Sequence, residues 1–227
     1  MYANKVKRII DFTLSFIALI VLFPVILIIF ITVRINIGTP AIFKQKRIGK
    51  DNKEFILYKF RTMTNETDSE GNLLPDDERT TKLGNFLRKS SLDELPELIN
   101  IIKGEMSIVG PRPLLVRYLD YYTEEEKHRH DVLPGLTGYA QVNGRNFLTW
   151  EEKFELDLKY IEECSFVCDL KVILSTIKQV LSKGDVLELG EVYADEKGLL
   201  WVNVNGEKKH VCRALDVERR EKIEEIL

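Results

Sequence analysis

Cysteine is scarce in this chain: three residues among 227, Cys164, Cys168 and Cys212. An odd count without metal-type spacing argues against a disulfide framework or a zinc ribbon and reads as free cytosolic thiols. Histidine is equally scarce. Two of the histidines, His128 and His130, fall in Glu124-Glu125-Glu126-Lys127-His128-Arg129-His130, where a solvated helix face is a better reading than a metal site. A strong charge of one sign is also lacking, since the formal net charge is −3, which speaks against a general nucleic-acid binder. There is no internal repeat, no low-complexity tract, and no G-x-G-x-x-G or Walker-type loop.

What stands out against these absences is one long uncharged apolar run, Phe12 to Val33, with Pro24 near its middle. A straight helix of that length reaches roughly 33 Å, about the hydrocarbon thickness of a bilayer. Yet Lys5, Lys7 and Arg8 precede the run and Arg34, Lys44, Lys46 and Arg47 follow it, so the Lys/Arg asymmetry that marks a single cytoplasmic end is missing. Pro24 cannot donate to the Ile20 carbonyl and favours a bend. Two arms of about 18 and 14 Å would each reach half-way into the core. Spanning and re-entrant topologies are evenly matched on these grounds. A secretory signal is a poorer third, because the run is long and no small-residue cleavage site follows.

The remainder, in a chain 44% hydrophobic and 30% charged, suffices for one compact domain. Ala41 to Gln45 and Glu54 to Phe60, joined by the turn-prone Gly49-Lys50-Asp51-Asn52, read as a hairpin. Thr64 to Thr81 reads as an exposed polar loop, and Asp76-Asp77 within it as solvated acids rather than a metal site. In Arg88-Lys89-Ser90-Ser91-Leu92-Asp93-Glu94-Leu95-Pro96-Glu97-Leu98-Ile99-Asn100-Ile101-Ile102-Lys103-Gly104, the residues Leu95, Leu98, Ile99 and Ile102 share a helical face and Lys103-Gly104 ends the helix. Pro96 belongs in a first turn, which places Asp93 at or beside the N-cap and Asp93 and Glu94 at the positive end of the helix dipole. That end also attracts phosphate, for which Arg88 and Arg112 could supply guanidinium forks. Taken alone, the two acids are equally well explained as a cap and a first-turn charge worth about 1 kcal/mol. Arg112 lies between Pro111 and Pro113, on stiff backbone that admits a cis peptide. Pro134 to Arg145 is a further Gly- and Pro-punctuated loop ending in amides and a cation.

In order, Pro40-Ala41-Ile42-Phe43-Lys44-Gln45-Lys46-Arg47-Ile48-Gly49, Tyr58-Lys59-Phe60-Arg61-Thr62-Met63, Asp93-Glu94-Leu95-Pro96, Val109-Gly110-Pro111-Arg112-Pro113 and Pro134 to Arg145 resemble the bacterial sugar transferases, the monotopic phosphoglycosyl transferases. The resemblance runs from about Lys5 to Asp185. It implies an α+β fold: a re-entrant membrane helix-break-helix over residues 1–36, then a small mixed domain over 37–185 with a short hairpin and several amphipathic interfacial helices. Residues 186–227 form an extension without functional assignment, read as a hairpin from Leu200 followed by a charged helix. Relatives in this family often carry Ser before the anchor proline, to catch freed carbonyls; here the position is Phe23, which cannot do so.

The resemblance further implies transfer of a sugar 1-phosphate from a UDP-sugar, an N-acetylated hexose being the first guess, to undecaprenyl phosphate. UMP is released at the cytoplasmic face of the bacterial inner membrane, as the first membrane step of surface polysaccharide or glycoprotein glycan assembly. Asp93 would be the nucleophile and Glu94 its acidic neighbour. Mg²⁺ binds through one or two carboxylates plus substrate phosphates, which makes Glu94 the metal ligand. Arg88 and Arg112 would clamp phosphate oxygens, with Lys59 and Arg145 on the diphosphate or uridine side. Expected partners are undecaprenyl phosphate, the UDP-sugar and bacterial membrane lipids, without nucleic acid; a homodimer is left open. The helix opening at Asp169, with Leu170, Ile173, Leu174, Ile177 and Val180 on one side, suits either the bilayer surface or the domain core. Two other readings remain: a non-catalytic membrane scaffold that kept the donor pocket, and a conventional glycosyltransferase that would release UDP.

Overall fold

The computed structural model describes residues 2–144, 148, 150–181, 192–194, 200–204 and 207–210. Helix α1, Lys7–Asn36, contains Pro24 and is assigned without interruption, so the break expected there does not divide it into two elements. One proline removes a single hydrogen bond, and the bonds before and after it carry the helix through. The helix meets the rest of the molecule at both ends. At its start, Arg8 donates to the Ile101 and Ile102 carbonyls, and Asp11 accepts from the Ser107 hydroxyl at 2.7 Å and the Ile108 amide at 3.2 Å. Lys7 pairs with Asp169. At its far end Ile29, Val33 and Ile37 pack with Ala41, Phe60 and Leu87 in one core cluster. The opposite face of α1 is apolar and bare, with Ile9, Phe12, Ile20, Phe23, Ile28 and Ile35 exposed.

The hairpin forms as the sequence predicts, with β1 Ile42–Ile48 antiparallel to β2 Glu54–Phe60. Asp51 and Asn52 adopt positive φ to turn the chain, as short polar side chains tolerate. A largely exposed loop then carries the short helix α2, Asp76–Arg79, before α3, Lys82–Lys89. A single turn, Leu92–Glu94, follows a left-handed Ser91, and α4, Glu97–Lys103, starts after Pro96 and stops at Gly104 with φ 86°. Its buried face is Glu97, Leu98, Asn100 and Ile101, while Ile99 is 41% exposed. The stripe expected from Leu95, Leu98, Ile99 and Ile102 is therefore rotated. Asn100 causes this: its side chain accepts from the Tyr58 amide at 3.1 Å and donates to the Ile56 carbonyl at 2.6 Å, tying α4 to β2.

Two short strands, β3 Ser107–Val109 and β4 Gly135–Thr137, pair in parallel with α5, Glu124–Lys127, between them. The charged run at its end is not a solvated face throughout, because the helix tightens at His128 and turns Arg129 and His130 inward, 3% and 5% exposed. Helices α6 Tyr139–Val142, α7 Trp150–Glu163 and α8 Phe166–Leu181 complete the domain. Asp169 does not cap α8. It is buried in the first turn and bonds Lys7 and the Tyr160 hydroxyl. Beyond α8, β5 Val192–Ala194, β6 Leu200–Val204 and β7 Glu207–His210 form an antiparallel sheet, so the expected hairpin is present; the charged helix lies outside the described residues. The cis peptide is Thr39–Pro40, not at Pro111 or Pro113. Cys164 and Cys168 are free thiols, and Cys212 falls outside the described residues.

Candidate active site

Three segments converge on one acidic corner: the turn carrying Asp93 and Glu94, the β2 residue Lys59, and the proline-framed Arg112. The Lys59 ammonium lies 2.6 Å from Glu94 and 3.3 Å from Glu97. Arg112 reaches the same Glu94 oxygen at 2.8 Å. Burial alone would push the Glu94 carboxyl up, but Arg112 and Lys59 outweigh it and hold it at about 2. It is a fixed anion at any working pH. Asp93 is 8% exposed, and that burial raises its carboxyl above the ordinary range, with Lys59 opposing and Glu94 adding to the shift. A poorly solvated, more basic carboxylate is a stronger nucleophile.

Arg112 gets its place from the glycines beside it. A Cβ on Gly135 would stand 2.1 Å from the Gly110 nitrogen, and one on Gly138 2.2 Å from the Gly110 oxygen. Only glycine lets these two chains touch, which brings Arg112 across to Glu94. Its side chain is nearly half exposed, at 47%, and so faces an open side of the corner.

Of the residues singled out from the sequence, Asp93, Glu94, Lys59 and Arg112 come together. Arg88 does not join them; its Nε donates to the Thr62 hydroxyl at 2.9 Å. Arg145 lies outside the described residues. Two participants escaped sequence reasoning. Glu97, 3% exposed, has its carboxyl raised by burial to about 7, with Lys59 opposing and Glu94 reinforcing. Arg47 bonds the Pro113 carbonyl at 3.3 Å and lies close enough to Arg112 and Glu97 to feel both charges. The available signal for Glu97 was its spacing of one helical turn from Asp93 and Glu94.

Among the described residues no three His, Cys, Asp or Glu side chains form a ready metal cage. A Mg²⁺ shared with substrate phosphates needs only one or two carboxylates. Glu94 fits that use, since Lys59 and Arg112 both bond Oε1 and leave Oε2 for a cation.

Comparison with known proteins identifies the scaffold. A profile described as bacterial sugar transferase matches residues 2–183. The chain belongs to the bacterial sugar transferase family. Among its relatives is an uncharacterised sugar transferase, EpsL, of Bacillus subtilis, 50% identical over 189 residues, which are 83% of this chain and 94% of that one. Another is the UDP-glucose:undecaprenyl-phosphate glucose-1-phosphate transferase of Escherichia coli, 41% identical over 181 residues. That alignment covers 75% of this chain and 39% of the relative, so this sugar transferase spans well under half of that protein. The exopolysaccharide production protein ExoY of Sinorhizobium fredii is 37% identical, across 78% of this chain and 87% of its own length.

Proposed function

We propose that this sugar transferase moves a sugar 1-phosphate from a UDP-sugar, an N-acetylated hexose in the first instance, to undecaprenyl phosphate, through a covalent intermediate on Asp93. The observation that carries the reading is the buried, basic Asp93 carboxylate beside a corner of paired cations. An Asp93 oxygen attacks the sugar-proximal phosphorus and the bond from that phosphorus to the bridging oxygen breaks. UMP leaves with the electron pair, and an acyl phosphate of the sugar remains. An oxygen of undecaprenyl phosphate then attacks the same phosphorus, releasing the Asp93 carboxylate and giving undecaprenyl-diphosphate-sugar. No proton need be moved in either step.

The main obstacle is repulsion between carboxylate and diphosphate. Lys59 and Arg112 supply two positive charges where the phosphoryl oxygens must lie, and both are already oriented by Glu94. Mg²⁺ held by Glu94 would supply further neutralisation of the diphosphate charge. The family resemblance also puts Arg88 and Arg145 on the donor; Arg88 bonds Thr62 and stands outside the Asp93–Glu94 cluster.

We infer a monotopic topology at the cytoplasmic face of the inner membrane, with residues 1–36 as anchor and 37–185 as the transferase domain. The support is that both ends of α1 bond or pack against one domain, whereas a spanning helix would carry one end about 30 Å across the bilayer from it. The face of α8 bearing Phe166, Leu170, Leu174 and Ile177 is exposed, which favours the bilayer over the core as its partner. On this reading the acceptor phosphate approaches Asp93 from the bilayer surface.

The test is incubation with undecaprenyl phosphate, Mg²⁺ and a panel of UDP-sugars, with identification of the nucleotide. UMP is expected with one donor and lost in Asp93→Asn. UDP would mean a conventional glycosyltransferase, and a biological role intact in Asp93→Asn would mean a scaffold.

A further inference from the structure

Arg112 stands between two prolines, and prolines lack the amide that would tether a loop. The stretch is instead held by its carbonyls, three in a row, each from a different element. The Gly135 amide donates to the Pro111 carbonyl at 2.9 Å, Arg129 Nη2 to the Arg112 carbonyl at 2.9 Å, and Arg47 Nη1 to the Pro113 carbonyl at 3.3 Å. The middle tether is the most constrained. The Arg129 side chain is 2% exposed and donates from Nε and Nη2 to one Asp157 oxygen at 3.1 and 2.6 Å. Nη1 reaches the Tyr122 hydroxyl at 3.3 Å. The guanidinium carbon sits 5.7 Å from the Tyr122 ring centre and 5.4 Å from that of Phe154.

We infer that Arg129 is a positioning residue for phosphoryl transfer: clamped by Asp157 on α7, it fixes the Arg112 main chain so that the Arg112 side chain stands at Glu94 ready for the donor diphosphate. Charge neutrality of the buried pair needs only Asp157. The additional bond goes to the carbonyl of Arg112, whose side chain meets Glu94 alongside Lys59, and that is what points to positioning. Lysine could keep the charge at this place but cannot bond Asp157 and the Arg112 carbonyl in the same plane. The role requires Arg112 to bind donor phosphate as proposed above.

The experiment is a double-mutant cycle with Arg129→Lys and Arg112→Lys, read as kcat/KM for the UDP-sugar in UMP release, with thermal midpoints alongside. Arg129→Lys is expected to lower kcat/KM about tenfold alone and less than about twofold in the Arg112→Lys background, since coupled neighbours are non-additive. An equal loss in both backgrounds, or none in either, overturns the positioning role. If Arg112→Lys by itself leaves kcat/KM unchanged, Arg112 does not serve the donor and both readings fall. Should Arg129→Lys not fold, Asp157→Asn is measured in the same two backgrounds; failure of both to fold would mark the contact as purely structural and overturn the proposal.

Discussion

Lys59 is the residue on which the acidic corner depends, because its ammonium serves Glu94 and Glu97 together. The two acids respond in opposite senses. Glu97 at about 7 keeps a proton in the fold that the unfolded chain releases near 4.5, so its stabilisation is complete below about 4.5 and is lost as pH rises through 7. Glu94, at about 2 against 4.5 unfolded, stabilises above about 4.5 and loses that contribution as pH falls towards 2. Glu97→Gln should therefore flatten the decline of the thermal midpoint between pH 4.5 and 7 and leave the acid limb in place; an unchanged decline would show that Glu97 titrates normally. Asp93→Asn should cut UMP release by at least about a thousandfold with no fall in thermal midpoint, because burial already works against the charged form. Asp93, Glu94, Lys59 and Arg112 were legible in the sequence through their ordered motifs. Glu97 was not, because its burial follows from Asn100 docking on β2, a contact between segments that apolar spacing along α4 does not encode.

At the scale of elements, the hairpin β1–β2 was readable from alternation and turn chemistry, and so was the β6–β7 pair. The packing of β3 on β4 was not, since three-residue strands carry no period. Their contact depends on Gly135, where an added Cβ would meet the Gly110 nitrogen at 2.1 Å. Gly135→Ala should cost about 1–3 kcal/mol of stability and lose most activity by moving Arg112; wild-type activity in that variant would mean the Arg112 loop tolerates displacement. The Glu124–His130 run misleads for a similar reason: a change of helical pitch at His128 turns Arg129 and His130 into the core. For α8, Leu174→Lys should leave acceptor-free UMP release intact and slow transfer to undecaprenyl phosphate in vesicles, as a charge on the stripe proposed to meet the bilayer opposes insertion. Equal rates with the lipid acceptor would place that face away from the membrane.

For the whole molecule, topology is the property that composition leaves undecided. Basic residues flank α1 on both sides, and it is tertiary contacts, those of Arg8, Asp11 and Val33 among them, that tie both ends to one domain. A single cysteine in place of Tyr2, in a cysteine-free background, should resist a membrane-impermeant maleimide until the cells are opened. Labelling from outside would mean a spanning helix.

In the proposed mechanism a sugar phosphate is stored on Asp93 between two displacements at the membrane surface. The most direct measurement omits the acceptor: purified protein, Mg²⁺ and the cognate UDP-sugar, with released nucleotide quantified and the protein weighed intact. The account predicts a burst of UMP no larger than the enzyme present and a mass gain of one sugar phosphate, both absent in Asp93→Asn. UMP released only when undecaprenyl phosphate is added, with no adduct at any time, would contradict it.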